Sequence, residues 1–331
     1  MKAVLYILAG VLFSISTITG AEVPLLDVML KNYEYPFEVK HFNVSNQRMN
    51  LSMAYMDVMP ETFNGTNVLL LHGKNFNGAY WETTARALVE EGYRVIIPDQ
   101  IGFGKSSKPH FFHYTFHVLA SNTKALLDSL GVEKVVVTGH SMGGMLATRF
   151  VLMHPEMSEK LVLLNPIGLE DWKLKVPYRP VEWWYERELN KTFQSIKEYQ
   201  LESYYDGTWK ESYDRWVNVL AGWTLNSDYE RIAWNAALTY DMIFTQPVVY
   251  EFRHISCPTL LIIGTRDRTA LGKSLVSDNV RQTMGRYDKL GKETRDKIPN
   301  AVLVELKDIG HLPHIESFDE FIKPYREFLR K

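Results

Sequence analysis

Short, continuous apolar runs recur along the chain: NVLLLHG, RVIIPD, KVVVTG, KLVLLNP, CPTLLIIG and AVLVEL. Each is bounded by polar or turn-forming residues, the mark of a strand buried on both faces. Between them the spacing becomes helical. Helices are expected over Tyr80–Glu91, ended by Gly92, over Phe116–Leu130, ended by Gly131, and over Met142–His154, with Pro155 beyond. Strands alternating with helices predict an α/β fold with a mostly parallel central sheet of about eight strands, covered by helices on both faces. Ahead of this rhythm, FEVKHFNV and LSMAYMDV alternate apolar with polar, which predicts two antiparallel strands joined by a polar turn at Gln47-Arg48. Residues 22–36 read as an irregular lead-in.

The rhythm breaks between residues 169 and 253. VEWWYERELNKTF, SYDRWVNVLAGW and DYERIAWNAAL are aromatic-rich and helical in spacing. They predict a helical lid over 169–253, inserted between two parts of one core, 22–168 and 254–331. After CPTLLIIG, the polar stretch from Asp267 to Ala301 reads as a helix plus a mobile loop, and Ser317–Arg330 as a closing helix. No internal repeat or low-complexity tract interrupts this pattern.

The first residues follow another logic. MKAVLYILAGVLFSISTITGAEVP has one lysine, an apolar run, then small and hydroxylated residues. Thr19 and Ala21 suit cleavage after Ala21. This is the layout of a secretory signal peptide over residues 1–21. It predicts export to a periplasm or the medium; the alternative is a protein tethered by an uncleaved N-terminal segment. The unbroken apolar run is shorter than the ~18 residues a spanning helix needs, so no stable membrane partner is expected.

Composition narrows the field further. The 331 residues are 46% hydrophobic and 23% charged, with a net charge of −2. That is ordinary for a globular protein, and the absence of a basic stripe argues against a nucleic-acid partner. Cys257 is the only cysteine, so no internal disulfide forms. Its place before Pro258 and a strand suits a buried structural thiol. Sequons at Asn43, Asn50, Asn64 and Asn190 matter only in a host that glycosylates exported chains.

The chemistry gathers around GHSMG, residues 139–143. A G-x-S-x-G sequence between a strand and a helix is a nucleophile elbow. The turn is sharp, glycines keep side chains from colliding, and the serine hydroxyl stands clear of the sheet. Ser141 is therefore the candidate nucleophile. A serine needs a base, and the base an acid to orient it. His311, in DIGHLPH, and Asp267, in GTRDRT, both follow strands at their carboxyl ends, where parallel sheets place their sites. His314 is the nearest rival base. Asp171, Asp241, Asp308 and Asp99 are rival acids, with Asp99 better suited to bonding backbone in a tight turn. His140 adjoins the serine but is expected to point away from it, and surface or packing roles are expected for His110, His113 and His117. The oxyanion hole is expected from the N–H of Met142, at the start of the helix, and from Lys74 or Asn75 in the loop LLLHGKNFNGAYW, with Lys74 the first candidate. No histidine pair is backed by a third ligand, so no metal is expected.

LLLHGKNFNGAYW, IIPDQIGFGKSSKP, GHSMGGMLA, LLIIGTRDRTA and DIGHLPHIE together resemble the ordered motifs of the α/β-hydrolase superfamily. They are similar to its lidded members, which include carboxylesterases, proline iminopeptidases and C–C bond hydrolases. Dehalogenases and epoxide hydrolases carry an aspartate where Ser141 stands. The resemblance spans roughly residues 37–330. It implies a serine hydrolase with the triad Ser141, His311 and Asp267, needing no cofactor and acting on a small-molecule substrate. The aromatic residues of the insert, Trp172, Trp183, Trp184, Tyr185, Trp209, Trp216, Trp223 and Trp234, suit an apolar acyl group, or else bury the core of the insert itself. An iminopeptidase would need acids there to hold a free amine; Glu182, Glu186 and Glu188 are the candidates.

Overall fold

Strands β1 (Val39–Asn46) and β2 (Met49–Val58) pair antiparallel in unbroken register, from Val39 opposite Met56 to Asn46 opposite Met49. The two loop residues, Gln47 and Arg48, both take positive φ, 50° and 63°. This is the hairpin turn whose twist matches that of the strands it joins. Neither residue is a glycine, and the Gln47 side chain anchors the turn. Its amide bonds the backbone carbonyl and N–H of His113, at 3.0 and 2.8 Å.

The computed structural model describes residues 23–331; the expected signal peptide lies outside them. After the hairpin come β3 (Asn67–Leu71), β4 (Arg94–Pro98), β5 (Val135–His140), β6 (Ser158–Leu164), β7 (Thr259–Gly264) and β8 (Ala301–Leu306). They form one eight-stranded sheet in the order β1-β2-β4-β3-β5-β6-β7-β8. β4 runs antiparallel to β2, and every pair from β4 to β8 is parallel. The α/β class and the eight-stranded, mostly parallel sheet are as the sequence predicts.

Alternation along the buried strands builds two core layers. Leu69, Val137, Leu163 and Leu261 enter one, with side chains from α2 (Phe116–Ser129), α3 (Met142–Met153) and α9 (Tyr287–Arg295). Leu70, Val136, Val162 and Ile262 enter the other, with side chains from α1 (Glu82–Val89) and α11 (Phe318–Leu329). Two helices, α8 (Asp278–Arg281) and α9, occupy the stretch where the sequence suggests one helix and a loop. A four-residue helix, α10 (Pro313–Glu316), precedes the closing one. Cys257 is buried beside β7, and burial pushes its thiol up to about 11, as expected of a structural cysteine.

The insert carries α4 (Val181–Leu189), α5 (Phe193–Tyr205), α6 (Asp214–Thr224) and α7 (Tyr229–Thr245) between β6 and β7. Its α4 packs on α7 through Trp184 and Tyr240, whose rings stack 4.6 Å apart. The lead-in is not loose. Leu26 and Leu30 are buried against Val219, Trp223 and Ile232 of the insert. Trp223 Nε1 and Asn226 Nδ2 donate to the carbonyls of Asp27 and Leu26, at 3.1 and 2.9 Å. Tyr35 donates to Asp99 at 2.7 Å, and Lys105 Nζ to the Leu30 carbonyl at 2.7 Å. Residues 23–35 thus form a strap from the insert to the loop after β4. No helix among the described residues is long and apolar enough to cross a membrane.

Candidate active site

The sheet order reverses between β3 and β5, and the crevice outside such a switch point is where open α/β sheets place ligands. β5 is buried along its whole length and stops at Ser141, with φ 55° and ψ −122°. That conformation is sparsely populated for an L-residue and costs of order 1–3 kcal/mol. Surrounding bonds impose it. The Ser141 N–H donates to the Leu164 carbonyl at 3.3 Å, and the Ser141 carbonyl accepts from Gly144 and Ile167 at 2.9 and 3.1 Å. A Cβ on Gly139 would strike the Gly143 carbonyl, and one on Gly143 the Leu71 carbonyl. Both glycines are therefore steric requirements of the elbow. Met142 begins α3, so its N–H has no acceptor within the helix and lies at the positive end of the helix dipole.

The loop after β3 leans on the serine: a Cβ on Gly73 would lie 3.0 Å from Ser141 Cβ. His72 braces this loop. Its Nδ1 donates to the Gly73 carbonyl at 2.9 Å, and its Nε2 accepts from the Gln100 N–H at 3.0 Å. Lys74 and Asn75 follow, both in the wall of the cavity beside Ser141. Asp99 ties the neighbouring turns together, as its sequence context suggests. It accepts from the Gly78 and Lys105 N–H groups and from Tyr35, each at 2.7 Å.

Asp267 and His311 meet at the carboxyl ends of β7 and β8. His311 Nδ1 donates to Asp267 Oδ2 at 2.6 Å, and both side chains are almost wholly buried. Asp267 also accepts from the Thr269 N–H at 2.7 Å and from Asn165 Nδ2 at 2.9 Å. Burial alone would raise its pKa. The His311 contact and these two bonds outweigh burial and hold the carboxyl below its ordinary value. His311 Nε2 is buried with no hydrogen-bond partner among the described residues. It is the nitrogen free to take a proton. The bond between a nucleophile and its base commonly tightens only with substrate in place.

The rival residues go elsewhere. His314 is buried, stacked on Trp81 at 4.6 Å, with neither ring nitrogen bonded, and burial first, then His311, lower it to about 3. Asp171 accepts from Tyr250 at 2.8 Å. Asp308 sits in a turn at φ 57°.

Three contributors escape sequence reading. Asn165, in LLNP after β6, positions Asp267 and accepts from the Gly264 N–H at 2.9 Å. Its place at a strand's carboxyl end is the one available signal. Tyr204 of α5 stacks on His311, with centroids 4.9 Å apart, and its hydroxyl accepts from Asn75 Nδ2 at 3.0 Å. The third is His140, which is wholly buried. Its Nε2 donates to the His311 carbonyl at 2.8 Å. Its Nδ1 must then accept, so the Tyr80 hydroxyl donates to it at 2.9 Å and in turn accepts from the Gly73 N–H at 2.9 Å. Burial, then His311 and His314, keep His140 well below its ordinary pKa and neutral. A single proton arrangement thus links the loop of Lys74 to the backbone of His311.

Tyr80→Phe removes both bonds and leaves two buried groups unpaired. Stability is expected to fall by about 1–3 kcal/mol, with kcat falling as the loop loosens. Urea unfolding and turnover measured on the same protein check this. An unchanged midpoint with unchanged turnover would show that the link carries nothing.

The cavity beside Ser141 holds about 380 Å³. Of the aromatic residues of the insert singled out above, only Trp172 and Trp184 line it, together with Phe76, Tyr204 and Tyr240. The others pack elsewhere; Trp223, for instance, lies under the strap. The Lys74 ammonium rests on the Tyr240 ring, 3.5 Å from its centroid. Burial lowers it to about 7, against the pull of Glu188.

The sequence profile of the alpha/beta hydrolase fold matches residues 66–318. The structure superimposes with a TM-score of 0.92 on a probable hydrolytic enzyme from Pseudomonas aeruginosa PAO1, at 48% identity, covering 93% of this chain and 99% of that one. Lipase 1 of Psychrobacter immobilis is 25% identical over 84% of this chain and 83% of its own. A 2-hydroxy-6-oxo-6-phenylhexa-2,4-dienoate hydrolase of Burkholderia cepacia is 38% identical over 32% of this chain, which spans only 38% of that relative's length.

Proposed function

This chain belongs to the alpha/beta hydrolase fold family, and from that premise we propose that it is a serine hydrolase cleaving a small carboxylic ester through an acyl-enzyme. One observation carries the reading. A buried histidine is fixed by Asp267 at 2.6 Å with its other nitrogen free, at the same site as a serine held in strained elbow geometry. Ser141 Oγ attacks the ester carbonyl while His311 Nε2 takes its proton. The oxyanion is held by the N–H groups of Met142 and Lys74. The proton passes to the departing alcohol. Water then attacks the acyl group, giving its proton to His311, and releases the acid and the free serine. Asp267 stabilises the imidazolium and fixes its tautomer. Phe76, Trp172, Trp184 and Ile243 in the cavity wall support an apolar body for the acyl group.

The iminopeptidase alternative loses its support. Glu188 is buried and paired with Lys191 at 2.7 Å, and neither Glu182 nor Glu186 lines the cavity. Likeness to the dienoate hydrolase over part of the chain keeps C–C cleavage on the same triad as the second reading.

A panel of p-nitrophenyl esters from acetate to palmitate tests the proposal, with a fluorophosphonate probe beside it. Turnover with a short-chain optimum, and labelling lost in Ser141→Ala, are expected. Labelling without turnover of any ester would favour C–C substrates. An unlabelled, inactive protein would point to a non-catalytic binder.

A further inference from the structure

The walls of the cavity are not electrically neutral. Four cationic side chains, Arg187, Arg268, Lys273 and Arg281, line it against one carboxylate, Glu202, together with Lys74, which burial lowers to about 7. Two of the four are neutralised by the protein. Arg281 pairs with Asp278 at 3.2 Å, and Arg268 lies 3.6 Å from Asp288. Lys74, Arg187 and Lys273 have no carboxylate oxygen within 4.0 Å among the described residues. The nearby acids are already engaged: Glu188 with Lys191, and Asp267 with His311. Arg187, on α4 of the insert, spends one of its five N–H donors on Ser274 Oγ at 3.1 Å. That bond spans from insert to core at the cavity edge and leaves most of the guanidinium fork open. Lys273 donates to the Arg268 carbonyl. Cations gathered on one concave surface focus a positive field into it, and a guanidinium fork matches a carboxylate in geometry as well as charge.

We propose that this cavity recognises a carboxylate carried by the substrate away from the scissile bond, with Arg187 and Lys273 as its principal holders. The preferred substrates are then anionic esters, such as half esters of dicarboxylic acids, rather than wholly apolar ones. The proposal rests on the serine hydrolase reading for its reaction but not for its binding site.

Two matched pairs test it. Monomethyl adipate against dimethyl adipate places the charge on the acyl half; acetoxyacetate against its methyl ester places it on the alcohol half. In at least one pair the anion is expected to lead by about tenfold or more in kcat/KM, chiefly through KM. The lead should collapse in Arg187→Gln/Lys273→Gln. It should survive Lys134→Gln, which removes one positive charge at the opposite end of β5. Neutral esters matching or beating their anions in both pairs would overturn the proposal, as would a lead that survives the double substitution. A second arm needs no turnover. Monomethyl adipate titrated into Ser141→Ala should saturate a change in tryptophan fluorescence from Trp172 and Trp184, at least several-fold more tightly than dimethyl adipate. If no ester is cleaved but this selectivity holds, the hydrolase reading fails and the carboxylate site stands. If esters are cleaved and neither arm shows selectivity, the reverse is true.

Discussion

Ser141→Ala is expected to lower kcat for ester substrates by on the order of 10⁴–10⁶, with substrate binding and the folded structure retained. The size of the loss follows from the division of labour at the site. Without a nucleophile, what remains is positioning and the oxyanion donors, which by themselves supply a residual rate enhancement. Ser141→Gly should abolish turnover equally and also raise stability by about 1–2 kcal/mol, because glycine carries no Cβ penalty at positive φ. Alanine keeps that penalty, so the two inactive variants should differ in their urea midpoints, glycine above alanine. Equal midpoints would show that the elbow stores no strain. Residual turnover above about a hundredth of wild type in either variant would remove Ser141 from the mechanism.

The second large effect is expected from Asp267→Asn, at about 10⁴-fold in kcat. The carboxylate accepts from His311, Thr269 and Asn165 at once. An amide at that place must turn an NH₂ toward one of these donors, and His311 loses the partner that sets its tautomer. Stability responds with a definite sign. The folded pKa of Asp267 is depressed relative to about 3.9 in the unfolded chain. Its contribution is therefore complete above that unfolded value and disappears as pH falls through the lower, folded one. The gap in urea midpoint between wild type and Asp267→Asn should be wide at neutral pH and narrow below about pH 4. A gap that widens on acidification would mean that the carboxylate is not held ionised by its neighbours.

Much of this architecture is legible along the chain because it rests on local rules. Short, β-branched apolar runs bounded by turn residues, such as VVVTG and LLIIG, fit strands covered on both faces, and the two glycines around Ser141, set between such a strand and a helix, announce the elbow. Asp267 and His311 sit at predictable places because both follow such runs directly. What escapes is what depends on convergence. Tyr204 reaches His311 only because α5 folds back over the sheet, 107 residues earlier in the chain. The role of His140 depends on Tyr80 and on a backbone carbonyl at residue 311. The cationic lining joins α4 to the segment after β7, so no stretch of sequence carries its charge pattern. The aromatic richness of the insert is plain to read, yet most of it packs away from the cavity, which composition alone does not reveal.

The strap has a consequence in time. Leu26 and Asp27 are bonded by Gly222, Trp223 and Asn226, residues made almost two hundred positions later. At ~5–20 residues per second of synthesis, the strap waits roughly 10–40 s for its partners. Through that interval Leu26 and Leu30 have nowhere of their own to be buried. Residues 23–35 therefore cannot take their final place until the insert has been made, and through that interval they remain available to whatever handles the nascent protein.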